Sequence, residues 1–246
     1  MRRDHVAVHA PAIGGNGDLI AYGQWGRPVL AFPSQEGRAW DYEDRGMIAS
    51  ISHLIEDGRA KFYCVDSFDA GSWYRTDLSL EERARAHSLY EDWIINRIVP
   101  WIFEDCGGPQ EIIVTGCSFG AYHAANFALK RADVFPVAIC QSGVYDVSVV
   151  GGGERGDAVY FNNPMDYVAN LEGDHLEWLR SRVSLLLVCG QGMWEDTTGA
   201  LASTKSFAGQ LRSKGIRHDM DLWGWDVPHD WPSWRNQIAH HLPRFC

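Results

Sequence analysis

The sequence predicts an α/β fold built on one mostly parallel sheet of about eight strands with helices on its faces. Short apolar runs alternate with longer helix-patterned stretches along most of the 246 residues, the signature of strands covered by crossover helices. Hydrophobic residues make up 46% and charged residues 22% of the chain, ordinary proportions for a protein that buries a sizeable core. The length suits one α/β domain spanning residues 1–246.

Strands are predicted over 5–9, 19–23, 29–33, 61–66, 111–116, 136–141, 184–190 and 217–223. The first three follow one another with only glycine-containing turns between them and are expected to form an antiparallel edge. The clearest helix runs from about Leu80 to Phe103, where Tyr90, Trp93, Ile94, Ile98, Trp101 and Ile102 repeat at helical spacing. Pro100 interrupts that stripe and predicts a kink or break near Val99. Further helices are expected from Phe119 to about Lys130, from Thr197 to Lys214 with Gly215 as the stop, and at the C-terminus around His240 and His241.

The least regular stretch, 147–181, opens with Gly151-Gly152-Gly153-Glu154-Arg155-Gly156-Asp157. Three consecutive glycines oppose a stable helix or strand. A short cap or flap fits this segment, and so does a plain surface loop followed by a packing helix.

A net charge of −10 without any run of Lys or Arg argues against nucleic acid as a partner. No apolar stretch of signal-peptide length follows Met1-Arg2-Arg3, and none reaches the roughly 18 residues of a membrane span. A soluble, cytoplasmic protein is expected, and a homo-oligomer is compatible with the sequence. Six widely spaced cysteines form no Cys-x-x-Cys pair and no zinc-finger spacing. Buried thiols, with neither disulfides nor a structural zinc or other metal site, are the expectation.

Chemistry concentrates where strand 111–116 runs into Gly116-Cys117-Ser118-Phe119-Gly120 and then into a helix-compatible stretch. Strand, Gly-x-Ser-x-Gly, helix is the setting of a nucleophile elbow, in which a strained turn lifts the serine hydroxyl to the top of an α/β-hydrolase sheet. Ser118 is the candidate nucleophile. Cys117 precedes the apex, where a side chain packs away from the site.

A serine hydroxyl needs a base, and in this fold the chain order of the catalytic triad is Ser, acid, His. Of the ten histidines, five (His5, His9, His53, His87 and His123) precede or share the elbow. His175 lies before strand 184–190, His218 within the last strand, and His240 and His241 in the terminal helix. His229 alone occupies a loop just after the last strand, at the carboxyl end of the sheet where α/β sites form. The acid should leave strand 184–190, whose following loop carries Glu195 and Asp196. Glu195 is preferred and Asp196 is the second candidate, with Asp146 and Asp226 behind them; the unused one of the first pair is expected to start the next helix. The oxyanion donors are assigned to the backbone N–H of Phe119 and that of Gln35, with Ser34 next, since Pro33 has no N–H.

These residues resemble the esterase family related to esterase D and S-formylglutathione hydrolase. Gly116 to Asn126 is similar to that family's elbow and following helix, Gln141-Ser142-Gly143 and His229-Asp230-Trp231 with Trp234 match further along, and the likeness spans about 29–241. The chain departs from the family pattern at Pro33-Ser34, where His-Gly is common, and at Gly190-Gln191-Gly192-Met193, where Gly-x-x-Asp is common. The resemblance implies a cofactor-free hydrolase of carboxylic esters or thioesters, and lactones or amides would use the same machinery. A catalytically silent binding protein on the same fold is the reading from another class, opposed by the intact Ser118, His229 and Glu195/Asp196 set. Trp194, Trp225 and Trp231 flank the acid and base and predict a pocket for a small ester with an apolar or aromatic group.

Overall fold

The computed structural model describes residues 1–246, the side chain of Ala12 excepted. Its sheet comprises β1 (Arg3–Ala10), β2 (Gly15–Tyr22), β3 (Arg27–Phe32), β4 (Ala60–Val65), β5 (Ile113–Cys117), β6 (Val137–Gln141), β7 (Ser184–Cys189) and β8 (His218–Leu222). They lie in the order β1-β2-β4-β3-β5-β6-β7-β8. Only the β1–β2 and β2–β4 pairs are antiparallel; the remaining neighbours run parallel.

The expected three-stranded antiparallel edge is therefore corrected at its third member. β3 passes beyond β4 and pairs in parallel on both sides, with Val29 opposite Phe62 on one flank and Ile113 on the other. Val29, Leu30, Ala31 and Phe32 are all fully buried. A strand covered on both faces reads as a continuous apolar run, and that continuity, more than nearness in sequence to β2, is what places it in the interior. β1, by contrast, alternates exposed and half-buried residues along most of its length, as an edge strand does.

Two layers cover the sheet. Leu30, Phe32 and Val114 point into a core completed by α1 (Leu80–Trp93), α2 (Val99–Asp105), α3 (Phe119–Lys130), α4 (Gly173–Arg182) and α5 (Ala200–Ser213). Val29, Ala31, Ile113 and Cys117 point to the other face, under short helical turns between Asp41 and Glu56 and under α6 (Trp231–His241). Every residue of α3 from Phe119 to Leu129 is buried, so this helix has no solvent stripe and sits wedged inside one layer.

Pro100 acts one turn earlier than expected. The helix neither stops nor breaks at Val99: the ladder widens to a π-turn over Ile94–Ile98, with the N–H of Val99 reaching back to Ile94 O, and α2 then continues to Asp105. Pro100 lacks an N–H and its ring crowds the carbonyl four residues back, and the wider turn accommodates both. The 147–181 stretch holds a 3₁₀ turn over Val147–Gly151, Gly152 and Gly153 at φ 69° and 87°, and short helices at Asp157–Asn162 and Pro164–Tyr167 before α4. It is fastened to α1: the Glu81 carboxylate accepts from the N–H groups of Ala158 and Val159, and Glu154 accepts from that of Leu80. Among the described residues no helix is long and apolar enough to cross a membrane.

His87 of α1 is fully buried between the rings of Trp73 and His123, at centroid distances of 5.2 and 5.3 Å. Burial pushes its pKa well below the usual imidazole range. Below about pH 6.5 the unfolded chain therefore binds a proton that the folded chain refuses, so this residue lowers stability as pH falls, by up to about 1.4 kcal/mol per pH unit. Urea titrations of His87→Phe between pH 5 and 7 should show a shallower loss of stability on acidification than the wild type. Parallel curves would contradict this account.

Candidate active site

The elbow is a backbone construction before it is a chemical one. β5 ends at Cys117, Ser118 takes φ 55° and ψ −122°, and α3 starts at Phe119. A non-glycine residue in such a region costs on the order of 1–3 kcal/mol and persists only where its surroundings hold it. The hold comes from the Ser118 N–H, which donates to Gln141 O at 2.8 Å, and from close packing of the motif's glycines. A Cβ at Gly116 would stand 2.1 Å from Gly120 O, and one at Gly120 would stand 2.2 Å from Pro33 O and 2.5 Å from Phe32 O. The two glycines thus let β5, the first turn of α3 and the exit of β3 touch through their backbones. Cys117 points to the opposite core beside Ile113 and Ile139, and burial pushes its thiol pKa up.

Three side chains predicted from sequence meet at this point. His229 Nε2 lies 3.0 Å from Ser118 Oγ, and His229 Nδ1 lies 2.9 Å from Glu195 Oε2. An ionised carboxylate can only accept, so Nδ1–H donates to Glu195 and Nε2 is left to accept from the serine hydroxyl. Glu195 is fully buried. Its Oε1 accepts from Ser142 Oγ at 2.6 Å and from the Gly190 N–H at 3.2 Å. Ser142 accepts in turn from Trp234 Nε1 at 3.1 Å, and the Trp234 ring stands edge-on to His229 with centroids 5.0 Å apart. Both oxygens of the buried carboxylate therefore have hydrogen-bond donors, as burial of such a group requires.

The loops that carry Glu195 and His229 are laced together. Gly192 N–H donates to Val227 O at 2.9 Å and His229 N–H to Met193 O at 3.0 Å. A Cβ at Gly190 would stand 2.1 Å from Val227 O, which explains the glycine there. Asp196 is exposed and turns away; its carboxylate accepts from the N–H of Thr197 at 2.8 Å. It does not start the next helix as expected, because α5 begins only at Ala200, with Gly199 as its cap. Asp146 caps its own turn through Ser148 and binds Asn163, while Asp226 is exposed. Neither bonds His229.

The N–H of Phe119 opens α3, whose positive end faces the serine. The other candidate donors lie on the turn Pro33–Gly37, closed by a 2.9 Å bond from Gly37 N–H to Ser34 O. Among the described residues the N–H groups of Ser34, Gln35 and Phe119 donate to no protein acceptor, and the Gly120 contact brings this turn against the start of α3.

The expected aromatic wall separates into different roles. Trp194 is 47% exposed and Trp225 75% exposed, on the loops beside Glu195 and His229. Trp231 packs edge-on against Tyr42 and Trp234, at 5.9 and 5.2 Å, and belongs largely to the core. Cavity size does not locate the chemistry: hollows of about 430 and 410 Å³ are lined by residues such as Arg38 and Arg75, or Val149 and Thr198, without Ser118 or His229. Sequence reasoning met Ser142 only as part of a match to the resembled family and Trp234 as such a match and one of the tryptophans around His229; neither was linked to Glu195.

A family model described as "Putative esterase" matches residues 34–245. Among solved structures, a ferulic acid esterase is similar at 16% identity, covering 99% of this chain and 96% of that one with a TM-score of 0.75. An S-formylglutathione hydrolase from Staphylococcus aureus is similar at 16% identity, covering 99% and 96% with a TM-score of 0.69. MPT51 of Mycobacterium tuberculosis is similar at 15% identity, covering 99% and 97% with a TM-score of 0.75. No curated protein sequence matches the chain.

The glycine contacts carry an expected outcome of their own. Gly120→Ala should lower unfolding stability by about 2–4 kcal/mol, because its methyl group meets backbone that cannot step aside. Gly209→Ala, with open space around its Cβ position inside α5, should be neutral or slightly stabilising. Chemical denaturation of the pair measures both, and equal effects would refute the packing argument.

Proposed function

The chain belongs to this esterase family, and on that premise we propose that it hydrolyses carboxylic esters through a covalent acyl-enzyme on Ser118. The observation that carries the reading is the unbroken line from Ser118 Oγ through His229 to the buried Glu195, with links of 3.0 and 2.9 Å. His229 takes the hydroxyl proton as Oγ forms its bond to the ester carbonyl carbon. The carbonyl oxygen becomes an oxyanion held by the N–H groups of Phe119 and Gln35, with Ser34 the alternative to Gln35. As the tetrahedral centre collapses, the C–O bond to the alcohol breaks and His229 returns the proton to the departing oxygen. Water, deprotonated by the same histidine, then releases the acid and restores Ser118.

Glu195 is the acid of this triad. It fixes the tautomer of His229 and stabilises the imidazolium that forms during each half-reaction. Ser142, held by Trp234, fixes the carboxylate. Trp194 and Trp225 offer exposed aromatic surface to an apolar or aromatic part of a small ester substrate. All six cysteines are free, which suits a reducing, cytoplasmic location.

A fluorophosphonate should add one covalent label by intact mass, absent from Ser118→Ala; an unlabelled folded wild type sinks the proposal. Glu195→Gln should lower kcat by about 10³–10⁴-fold, as expected for loss of the tautomer-fixing carboxylate, while Asp196→Asn stays within about two-fold. Ser142→Ala removes a hydrogen bond to a charged group worth about 1.5–3 kcal/mol and should lower kcat by about 10–100-fold. Steady-state rates on p-nitrophenyl esters decide these rankings, and an Asp196 effect larger than that of Glu195 would reassign the acid.

A further inference from the structure

A second carboxylate and imidazole pair lies behind the oxyanion donors, and the triad does not use it. Asp69, in the 3₁₀ turn after β4, is 1% exposed, and its Oδ1 lies 2.9 Å from Nε2 of the fully buried His123. Its Oδ2 accepts from the N–H of Glu36 at 3.1 Å. Glu36 takes φ 53° in the turn that presents Gln35, so this bond pins a backbone that would otherwise relax. His123 lies one helical turn after Phe119, with the two rings 5.2 Å apart and edge-on. It also contacts Phe32, just before Pro33, at 5.8 Å. One carboxylate therefore bridges the two segments that carry the oxyanion N–H groups. A buried charge answered by two donors is costly where only volume needs filling.

We infer that Asp69, through Glu36 and His123, is a positioning residue that sets the spacing between the N–H of Phe119 and that of Gln35. The inference rests on the esterase reading above. Asp69 touches neither substrate nor triad; its effect is on the transition state, where both donors must reach the same oxygen. Since an Nδ1 partner for His123 is lacking among the described residues, its tautomer can switch at little cost. An asparagine at 69 could then accept from Glu36 and donate to His123 Nε2, keeping both links without the charge.

The test counts active sites by fluorophosphonate titration, so that misfolded protein is removed from the rate. Asp69→Ala should lower kcat per titrated site by about 10–100-fold, the scale of a misplaced oxyanion donor, with KM within about three-fold. Affinity for a trifluoromethyl ketone, whose hemiketal oxygen occupies the oxyanion position, should fall in parallel with kcat/KM. Asp69→Asn should stay within about three-fold of the wild type in both. If Asp69→Ala does not fold, His123→Phe, which keeps the ring volume and cuts the tether, should lower kcat per site at least three-fold. Unchanged kcat per site in whichever variant folds, or a rate loss without the parallel loss of ketone affinity, overturns the inference. A wild type that the fluorophosphonate leaves unlabelled removes the esterase reading itself and this inference with it.

Discussion

At Gly120 three backbone segments share a space that one methyl group would overfill, and much of the site follows from that contact. The end of β3, the end of β5 and the first turn of α3 approach one another more closely than any side chain permits. Ser118 is forced to positive φ at their junction and its hydroxyl is turned outward. The same contact sets Pro33–Gly37 beside the opening turn of α3. The position of the Ser118 hydroxyl and that of the Pro33–Gly37 turn thus share one cause.

Around that junction the protein handles two buried carboxylates differently. Glu195 is bound to a histidine that also reaches Ser118, and it is steadied by Ser142, Trp234 and the N–H of Gly190. Asp69 is bound to a histidine sealed inside α3, and its other oxygen holds a backbone turn. Glu195 and His229 follow the neighbouring strands β7 and β8, and Asp69 follows β4, all at the carboxyl edge of the sheet, where loops leave and polar groups can converge. What separates them is the far side of the imidazole: His229 reaches Ser118, whereas His123, beyond its bond to Asp69, is ringed by aromatic side chains such as Phe32, Tyr90, Phe119 and Tyr122.

Much of this was legible in sequence because it depends on local pattern. Gly116-x-Ser118-x-Gly120 between an apolar strand and a helix declares the elbow, and chain order singles out His229 among ten histidines. The carboxylate partner of His229 was legible only as a pair, since Glu195 and Asp196 are adjacent in sequence and their facing depends on how Gly190 and Gly192 lace their loop to Val227. β3 was misplaced because its partners, β4 and β5, lie about 30 and 80 residues downstream, and pairing over such separations leaves no local mark. The Asp69–His123 pair was out of reach for the same reason: 54 residues separate its members, and each alone reads as an ordinary buried polar residue.

The interior position of β3 has a consequence for how the molecule breathes. Partial unfolding starts where backbone bonds are fewest and most exposed; here those places are the two margins of the sheet, β1 and β8, each paired on one side only and partly open to solvent. β3 and β5 are paired on both sides and covered on both faces. Amides there exchange only through the rarer, larger openings, so fraying at the sheet's margins can come and go while the backbone around Ser118 keeps its geometry.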